Sequence, residues 1–324
     1  MKKKKIILIT GVAGFIGFSL ALKFLNHKNY QVIGIDNYDN YYSIHLKKKR
    51  ISYLRKYKKF KFFQLNITEA NSFIILKKYK FDHIFHFAAQ AGVRYSIINP
   101  EKYINNNILG TINVLNFIKD QNPISTFFAS SSSVYGDSKK FPLNEKDELR
   151  PKNIYATSKI INEISAKSFS KNYNLRIYGL RFFTVYGEWG RPDMLLFKIL
   201  SNCLKKTQLK LNNKGNHYRD FTYIYDVTEI LYLLTKKKIK KKFDIFNICS
   251  NNPQYIKKII QNFQKKYENI KIKNIPKNNL DVFKTHGDNQ KIRRLLKYDK
   301  FTKFQIGFSK TFNWFKKYNK NLIL

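Results

Sequence analysis

Ile6-Ile7-Leu8-Ile9-Thr10-Gly11-Val12-Ala13-Gly14-Phe15-Ile16-Gly17 joins an apolar run to three glycines spaced three apart. An uninterrupted run of this kind suits a strand buried on both faces. The glycines suit, in order, a tight strand-to-helix turn, a backbone that a phosphate can approach, and a helix packed close on its sheet. The spacing therefore predicts a strand over 4–10 and a helix over 14–28, whose N-terminus attracts negative charge. Gln31 to Asp36 reads as a second strand and completes a β-α-β unit. Asp36 falls where a carboxylate accepts hydrogen bonds from the hydroxyls of an adenosine ribose and repels a 2′-phosphate, which selects NAD over NADP.

The alternation continues. Strand patterns at 60–66, 82–88, 124–130 and 175–182 are separated by helical ones at 68–79, 102–119 and 154–172. Such alternation predicts an α/β fold with a doubly wound parallel sheet of the Rossmann kind. An NAD-binding domain is expected over residues 1–187. After Gly187 the pattern loosens into a helix at 193–205, short strands at 208–211 and 219–223, and helices at 226–237 and 254–268. Residues 188–324 are expected to form mainly a smaller, mixed α/β substrate-binding lobe, with 226–248 returning a helix and a strand to the first domain. Lys257 to Asn279 is rich in lysine and asparagine, yet its apolar residues keep enough periodicity to fold.

A chain of 324 residues, 43% of them hydrophobic, has ample material for a core. Lysines at 2 to 5 precede only the short run Ile6 to Ile9, unlike a secretory leader, and no stretch offers the ~20 apolar residues of a membrane span. The expectation is a soluble, cytoplasmic protein without membrane insertion. Cys203 and Cys249 form no CxxC pair and have no histidine cluster beside them, so neither a disulfide framework nor a metal site is expected. The net charge of +41 would suit an RNA-binding relative of the fold. Lys, Asn, Ile, Tyr and Phe are abundant throughout, however, as base composition alone would make them, and Lys47 to Arg50, Lys236 to Lys238 and Lys240 to Lys242 read as solvated faces. No specific nucleic-acid partner is expected, only a positive field that favours an anionic substrate.

Ser130 to Ser133 end the fifth strand, and Tyr155 and Lys159 lie one turn apart near the start of the helix that follows. All therefore reach the carboxyl edge of the sheet, where a nicotinamide would lie. A tyrosine hydroxyl titrates near 10 and is a poor base at neutral pH. A neighbouring ammonium and the positive charge of an oxidised nicotinamide would lower that value and make Tyr155 an acid/base group, with a serine hydroxyl hydrogen-bonding the reacting oxygen.

These residues, in this order, resemble the extended short-chain dehydrogenase/reductase family, the NAD-dependent epimerases and dehydratases of nucleotide sugars. Three segments narrow the likeness to UDP-glucuronate 4-epimerases: Ile35 to Tyr42, His86 to Ser96, and Arg181 to Met194. The resemblance implies Ser131, Tyr155 and Lys159 as the catalytic triad. It implies a tightly bound NAD, regenerated each cycle, against Gly11, Gly14, Phe15, Ile16, Gly17, Asp36, Asn37, Asn66, Ile67, Ala88, Asn107, Ser130, Tyr155 and Lys159. It places a UDP-sugar against Arg94, Ser131, Ser132, Ser133, Thr184, Arg191 and Arg219. The reaction implied is 4-epimerisation of UDP-glucuronate to UDP-galacturonate through a transient 4-keto sugar. UDP-glucose 4-epimerase, UDP-glucuronate decarboxylase and sugar-nucleotide dehydratase activities share the same core and remain alternatives. Two departures stand out: Asn66 replaces the usual acidic residue on the adenine side, and His286-Gly287-Asp288 stands where neutral-sugar 4-epimerases offer an arginine. The likeness further implies a homodimer through the helices at 102–119 and 154–172, and a role in polysaccharide biosynthesis.

Overall fold

The computed structural model describes residues 4–205, 207–266, 271–277 and 280–322. Its first half runs β1 (Lys5–Thr10), α1 (Phe15–Leu25), β2 (Tyr30–Asp36), α2 (Ile44–Arg55), β3 (Phe60–Gln64) and β4 (His83–His86). Two single-turn helices, α3 (Tyr95–Ile98) and α4 (Pro100–Tyr103), lead into α5 (Gly110–Gln121), β5 (Ser125–Ser131), α6 (Ile154–Asn172) and β6 (Ile177–Phe182). Side chains alternate across each strand. Ile7, Ile9 and Val32 therefore enter the core on one face of the sheet, while Leu8, Ile33 and Ile35 enter the core on the other. All six are fully buried, which explains why β1 and β2 read as continuous apolar runs.

The remaining elements are β7 (Thr184–Tyr186), α7 (Leu195–Lys205), β8 (Leu209–Asn212), β9 (Tyr218–Tyr223), α8 (Ile224–Leu234), β10 (Phe243–Ile248), β11 (Pro253–Tyr255), α9 (Ile256–Lys266), β12 (Ile272–Ile275), α10 (Gln290–Leu296) and α11 (Phe304–Leu322). Seven strands form one sheet in the order β10-β6-β5-β4-β1-β2-β3, every pair parallel. The order reverses direction at β1, so a crevice opens beyond the carboxyl ends of β1 and β4. Residues 243–248 pair with β6 at the edge of this sheet, and α8 packs on α1. Two smaller sheets, β11-β9-β7 and β12-β8, stand outside it. The doubly wound α/β expectation holds.

Local expectations fail where polar side chains compete with the helix ladder. The pattern at 68–79 forms only a short 3₁₀ segment, Ala70–Leu76, whose entry is tied by Asn66 Oδ1 accepting from Thr68 N at 3.2 Å and by Ser72 Oγ donating to Asn66 O at 2.9 Å. The expected helix at 102–119 is broken by a π-helical turn over Ile104–Leu109, the wide-turn geometry that recurs at functional sites. The solvated face expected at Lys47 to Arg50 is a correction: Lys47 and Arg50 are buried and only Lys48 and Lys49 face water. The helix expected at 254–268 is α9, Ile256–Lys266, and 267–268 lie outside the described residues. The same is true of 269–270 and 278–279 within the lysine-rich segment and of Lys2 and Lys3.

Candidate active site

The glycine motif closes the crevice floor. Gly11 adopts φ 72°, a conformation side-chain-bearing residues rarely take, and a Cβ there would lie 2.6 Å from Ala88 N. Its amide donates to Ile35 O at 2.8 Å, tying the ends of β1 and β2. A Cβ on Gly14 would lie 2.9 Å from Gly11 O, and one on Gly17 would overlap that same oxygen. Gly14 caps α1 without a side-chain acceptor, and the first turn carries no acidic residue, so the helix terminus is left to an anion. Phe15 is buried and Ile16 partly buried against the core.

Asp36 ends β2 inside this loop. Its Oδ2 accepts from Ala13 N at 3.0 Å and its Oδ1 from Tyr38 N at 2.8 Å. Burial pushes its carboxyl up, opposed by Lys47, the two backbone amides and Arg50. Asn37 is exposed and bonds Asp39 N, and Asn66 lies past the end of β3 with its amide 3.4 Å from Glu69 Oε1. Ile67 is buried, where its side chain would meet a Cβ at Gly110. Ala88 N donates to Thr10 Oγ1, which also meets His86 Nδ1 at 2.8 Å, while His86 Nε2 meets Thr111 Oγ1 at 3.0 Å. Burial holds this histidine near 3, hence neutral, so it locks β1, β4 and α5 as a structural bridge.

Asn153 caps α6 through Ala156 N at 2.9 Å, which sets Tyr155 at the helix start. Lys159 Nζ lies 5.9 Å from the Tyr155 ring centre and donates to Ala129 O at 3.0 Å. Burial pushes Tyr155 up, and the groups that oppose it are the Ser131 hydrogen bond and the Arg191 charge. Burial also lowers Lys159 to about 8, against the pull of Glu163. Asn107, inside the π turn, donates to Ser158 Oγ at 3.0 Å and to Gln90 O at 3.1 Å, and accepts from Gln90 N at 2.7 Å. It thus fastens the β4 loop to the turn of α6 that carries the tyrosine and lysine.

The remaining expected residues fall into separate groups. Ser131 Oγ lies 3.1 Å from Ser133 Oγ, and Ser132 is partly exposed beside them. Ser130 instead donates to Glu163 Oε1 at 2.5 Å, into a buried pair with Arg181. Arg191 forms a two-pronged pair with Asp193, at 3.0 and 2.5 Å, and lies 5.8 Å from the Tyr41 ring centre. Thr184 and Arg191 line one small hollow with Phe15. Arg94 and Arg219 gather elsewhere, around Asp281: Arg94 pairs with it at 2.6 Å, while burial lowers Arg219 to about 10 and Asp281 opposes that shift.

Residues 7–249 match the NAD dependent epimerase/dehydratase family. The chain belongs to it. Over 99% of both chains it is 41% identical to an uncharacterized protein of Methanocaldococcus jannaschii, MJ1055. It is 35% identical to UDP-glucuronate 4-epimerase 4 of Arabidopsis thaliana, across 96% of this chain and 75% of that protein. Among solved structures it is similar to UDP-glucuronic acid 4-epimerase of Bacillus cereus in complex with UDP-glucuronic acid and NAD, at 28% identity and a TM-score of 0.88 over 96% of this chain and 99% of the other.

As a member of the NAD dependent epimerase/dehydratase family, the protein is an NAD-using enzyme. The residues fit the cofactor: a cradle that a Cβ at any of the three glycines would obstruct, an uncapped helix N-terminus and Asp36 at the end of β2. Sequence reasoning missed several groups at this site: Tyr41, Tyr103, whose ring centre lies 6.1 Å from that of Tyr155, Glu163, Asp193 and Asp281. Glu163 had a signal, since it lies one turn beyond Lys159 on the same helix, as Lys159 lies beyond Tyr155. Asp193 follows Arg191 by two residues and hid inside a segment read for its arginine.

Proposed function

We propose that this enzyme interconverts UDP-glucuronate and UDP-galacturonate by inversion at carbon 4. The observation that carries the reading is the Tyr155 phenol at the start of α6, where Ser131 and Arg191 favour its ionised form, at the carboxyl edge of the sheet. The names of relatives such as the Arabidopsis proteins support the choice of sugar. Tyr155 takes the proton of the 4-hydroxyl, and Ser131 holds the same oxygen. The chemistry that NAD supplies when bound is reversible acceptance of hydride from carbon 4. Lys159 keeps a cation behind the phenol, and Tyr155 returns the proton after the 4-keto sugar has turned its other face. No external oxidant is consumed.

A 4-keto glucuronate is a β-keto acid, which loses carbon dioxide when its carboxylate bond aligns with the carbonyl. The epimerase must block that alignment. Ser132, Ser133 and Thr184 supply hydroxyls for ionic hydrogen bonds to the carboxylate. Incubation of the purified protein with UDP-glucuronate, without added reductant, tests the whole reading by NMR. UDP-galacturonate alone is expected, a UDP-pentose would make the enzyme a decarboxylase, and no turnover would sink the proposal. Ser132→Ala with Thr184→Ala is expected to divert product toward the pentose, and an unchanged ratio argues against the clamp.

In this reading residues 1–187 with 226–248 bind NAD and 188–324 mainly hold the sugar nucleotide, in a cytoplasmic enzyme that serves polysaccharide synthesis. A homodimer belongs to the same proposal. Ile98, Ile104 and Leu109 are 79%, 50% and 47% exposed, and Ile164 on neighbouring α6 is 65% exposed, an apolar face suited to a second copy.

A further inference from the structure

Arg50 is fully buried on α2, a helix that also presents Lys48 and Lys49 to water. Its guanidinium meets no carboxylate in any of its hydrogen bonds. Nη1 donates to Ala13 O and to Tyr42 Oη, both at 2.8 Å, and Nη2 donates to Trp189 O at 2.5 Å and Gly190 O at 3.2 Å. Nε has no partner. Burying a cation this way is costly, and a leucine would complete the helix face at less expense.

The acceptors come from the two halves of the site. Ala13 lies inside the glycine motif, and its N–H is held by Asp36 while its carbonyl is held by Arg50, so the peptide units on both sides of this residue are fixed. Trp189 and Gly190 directly precede Arg191, whose charge acts on Tyr155. Trp189 has φ 61°, an unfavourable conformation for a bulky residue that only surrounding contacts can maintain. Its ring is wedged against Phe18 at 4.9 Å, Tyr53 at 5.7 Å and Trp314 at 5.4 Å. Its carbonyl is held by Arg50. One planar fork therefore spans the cofactor loop and the substrate-side turn, a geometry a lysine ammonium does not reproduce.

We propose that Arg50 is a positioning residue that locks the Trp189-Gly190-Arg191 turn to the glycine loop, so that NAD binding and nucleotide-sugar binding reinforce one another. The consequence is energetic coupling between the two ligands, equal in both directions. The proposal rests on the family's ligands, and its test uses UDP in place of UDP-glucuronate, so failure of the glucuronate reading leaves it intact.

UDP is titrated calorimetrically into the full chain, once after charcoal removal of NAD and once after reloading. In the unaltered protein NAD is expected to tighten UDP binding about ten-fold. In Arg50→Lys that factor is expected to fall below about two-fold while UDP still binds the NAD-free protein, a separation that a general loss of structure would not produce. Tyr42→Phe removes one acceptor of the fork and leaves the fold less exposed to damage. It is expected to lower the factor partway at an unchanged melting temperature, and this decides the matter if Arg50→Lys does not fold. Absence of coupling in the unaltered protein, or an unreduced factor in both variants, overturns the proposal.

Discussion

Tyr155 and Lys159 carry opposite consequences of the same burial. The phenol is raised and the ammonium lowered, because each loses solvation of its charged form. A lysine that titrates near 8 when folded, below its ordinary range, releases its proton before the unfolded chain does. Between about 8 and the ordinary lysine value the unfolded state thus binds the extra proton, and this group's contribution to stability rises with pH. Below about 8 the buried ammonium is a net cost. Melting temperatures of the NAD-free protein across that window should show the rise, and Lys159→Met should flatten it. In the proposed reaction turnover needs the cation, so activity follows the other sign and an alkaline limb near pH 8 is expected. Glu163 raises the Lys159 value, and Glu163→Gln should move the limb to lower pH; a limb that stays in place would show that Glu163 does not set that value. Tyr155→Phe should lower kcat by roughly 10²–10⁴-fold with sugar-nucleotide binding retained.

At the scale of elements, the junction of β1 and α1 decides whether a dinucleotide can lie down. Replacing a mid-helix glycine by alanine ordinarily stabilises a helix by about 1 kcal/mol. Gly17 should behave oppositely, because its new Cβ would overlap the Gly11 carbonyl oxygen and stand 3.0 Å from Val12 Cα, both backbone atoms that cannot swing aside. Such overpacking costs about 1–3 kcal/mol. Gly17→Ala is therefore expected to lower the melting temperature and the NAD content of the purified protein together; a higher melting temperature with full NAD would refute the close-packing role. This junction was legible in the sequence because glycine spacing and apolar runs are local signals, and so was α6, whose bounds match the periodicity at 154–172. The π turn at Ile104–Leu109 was not legible, since Asn107 is drawn to Gln90 and Ser158, partners far away in the chain. Arg50 was misread for the same reason. A charge cluster shows how many cations a helix carries, whereas which of them turns inward depends on carbonyls that arrive from residue 13 and residues 189–190. Ser130 makes the same point, a serine at the expected strand end whose hydroxyl partner, Glu163, lies on the following helix.

At the scale of the whole molecule, a net charge of +41 and an exposed apolar face make opposing demands. Two such chains repel, while the isoleucines of α3, the π turn and α6 gain by leaving water together. Salt separates the two effects. The Debye length falls from about 30 Å at 0.01 M to about 3 Å at 1 M, so repulsion between copies is screened away while apolar burial persists. The proposed dimer should therefore tighten as salt rises, the opposite of a lysine-driven association with RNA, which weakens as counterion release loses its advantage. No helix among the described residues is long and apolar enough to cross a membrane. Light scattering at several salt concentrations is expected to show the mass moving from one chain toward two. Ile98→Asp with Ile164→Asp should hold it at one chain throughout, because each carboxylate would be buried without a partner at the contact. A dimer that survives both substitutions, or that dissolves as salt increases, would place the interface elsewhere and make it ionic.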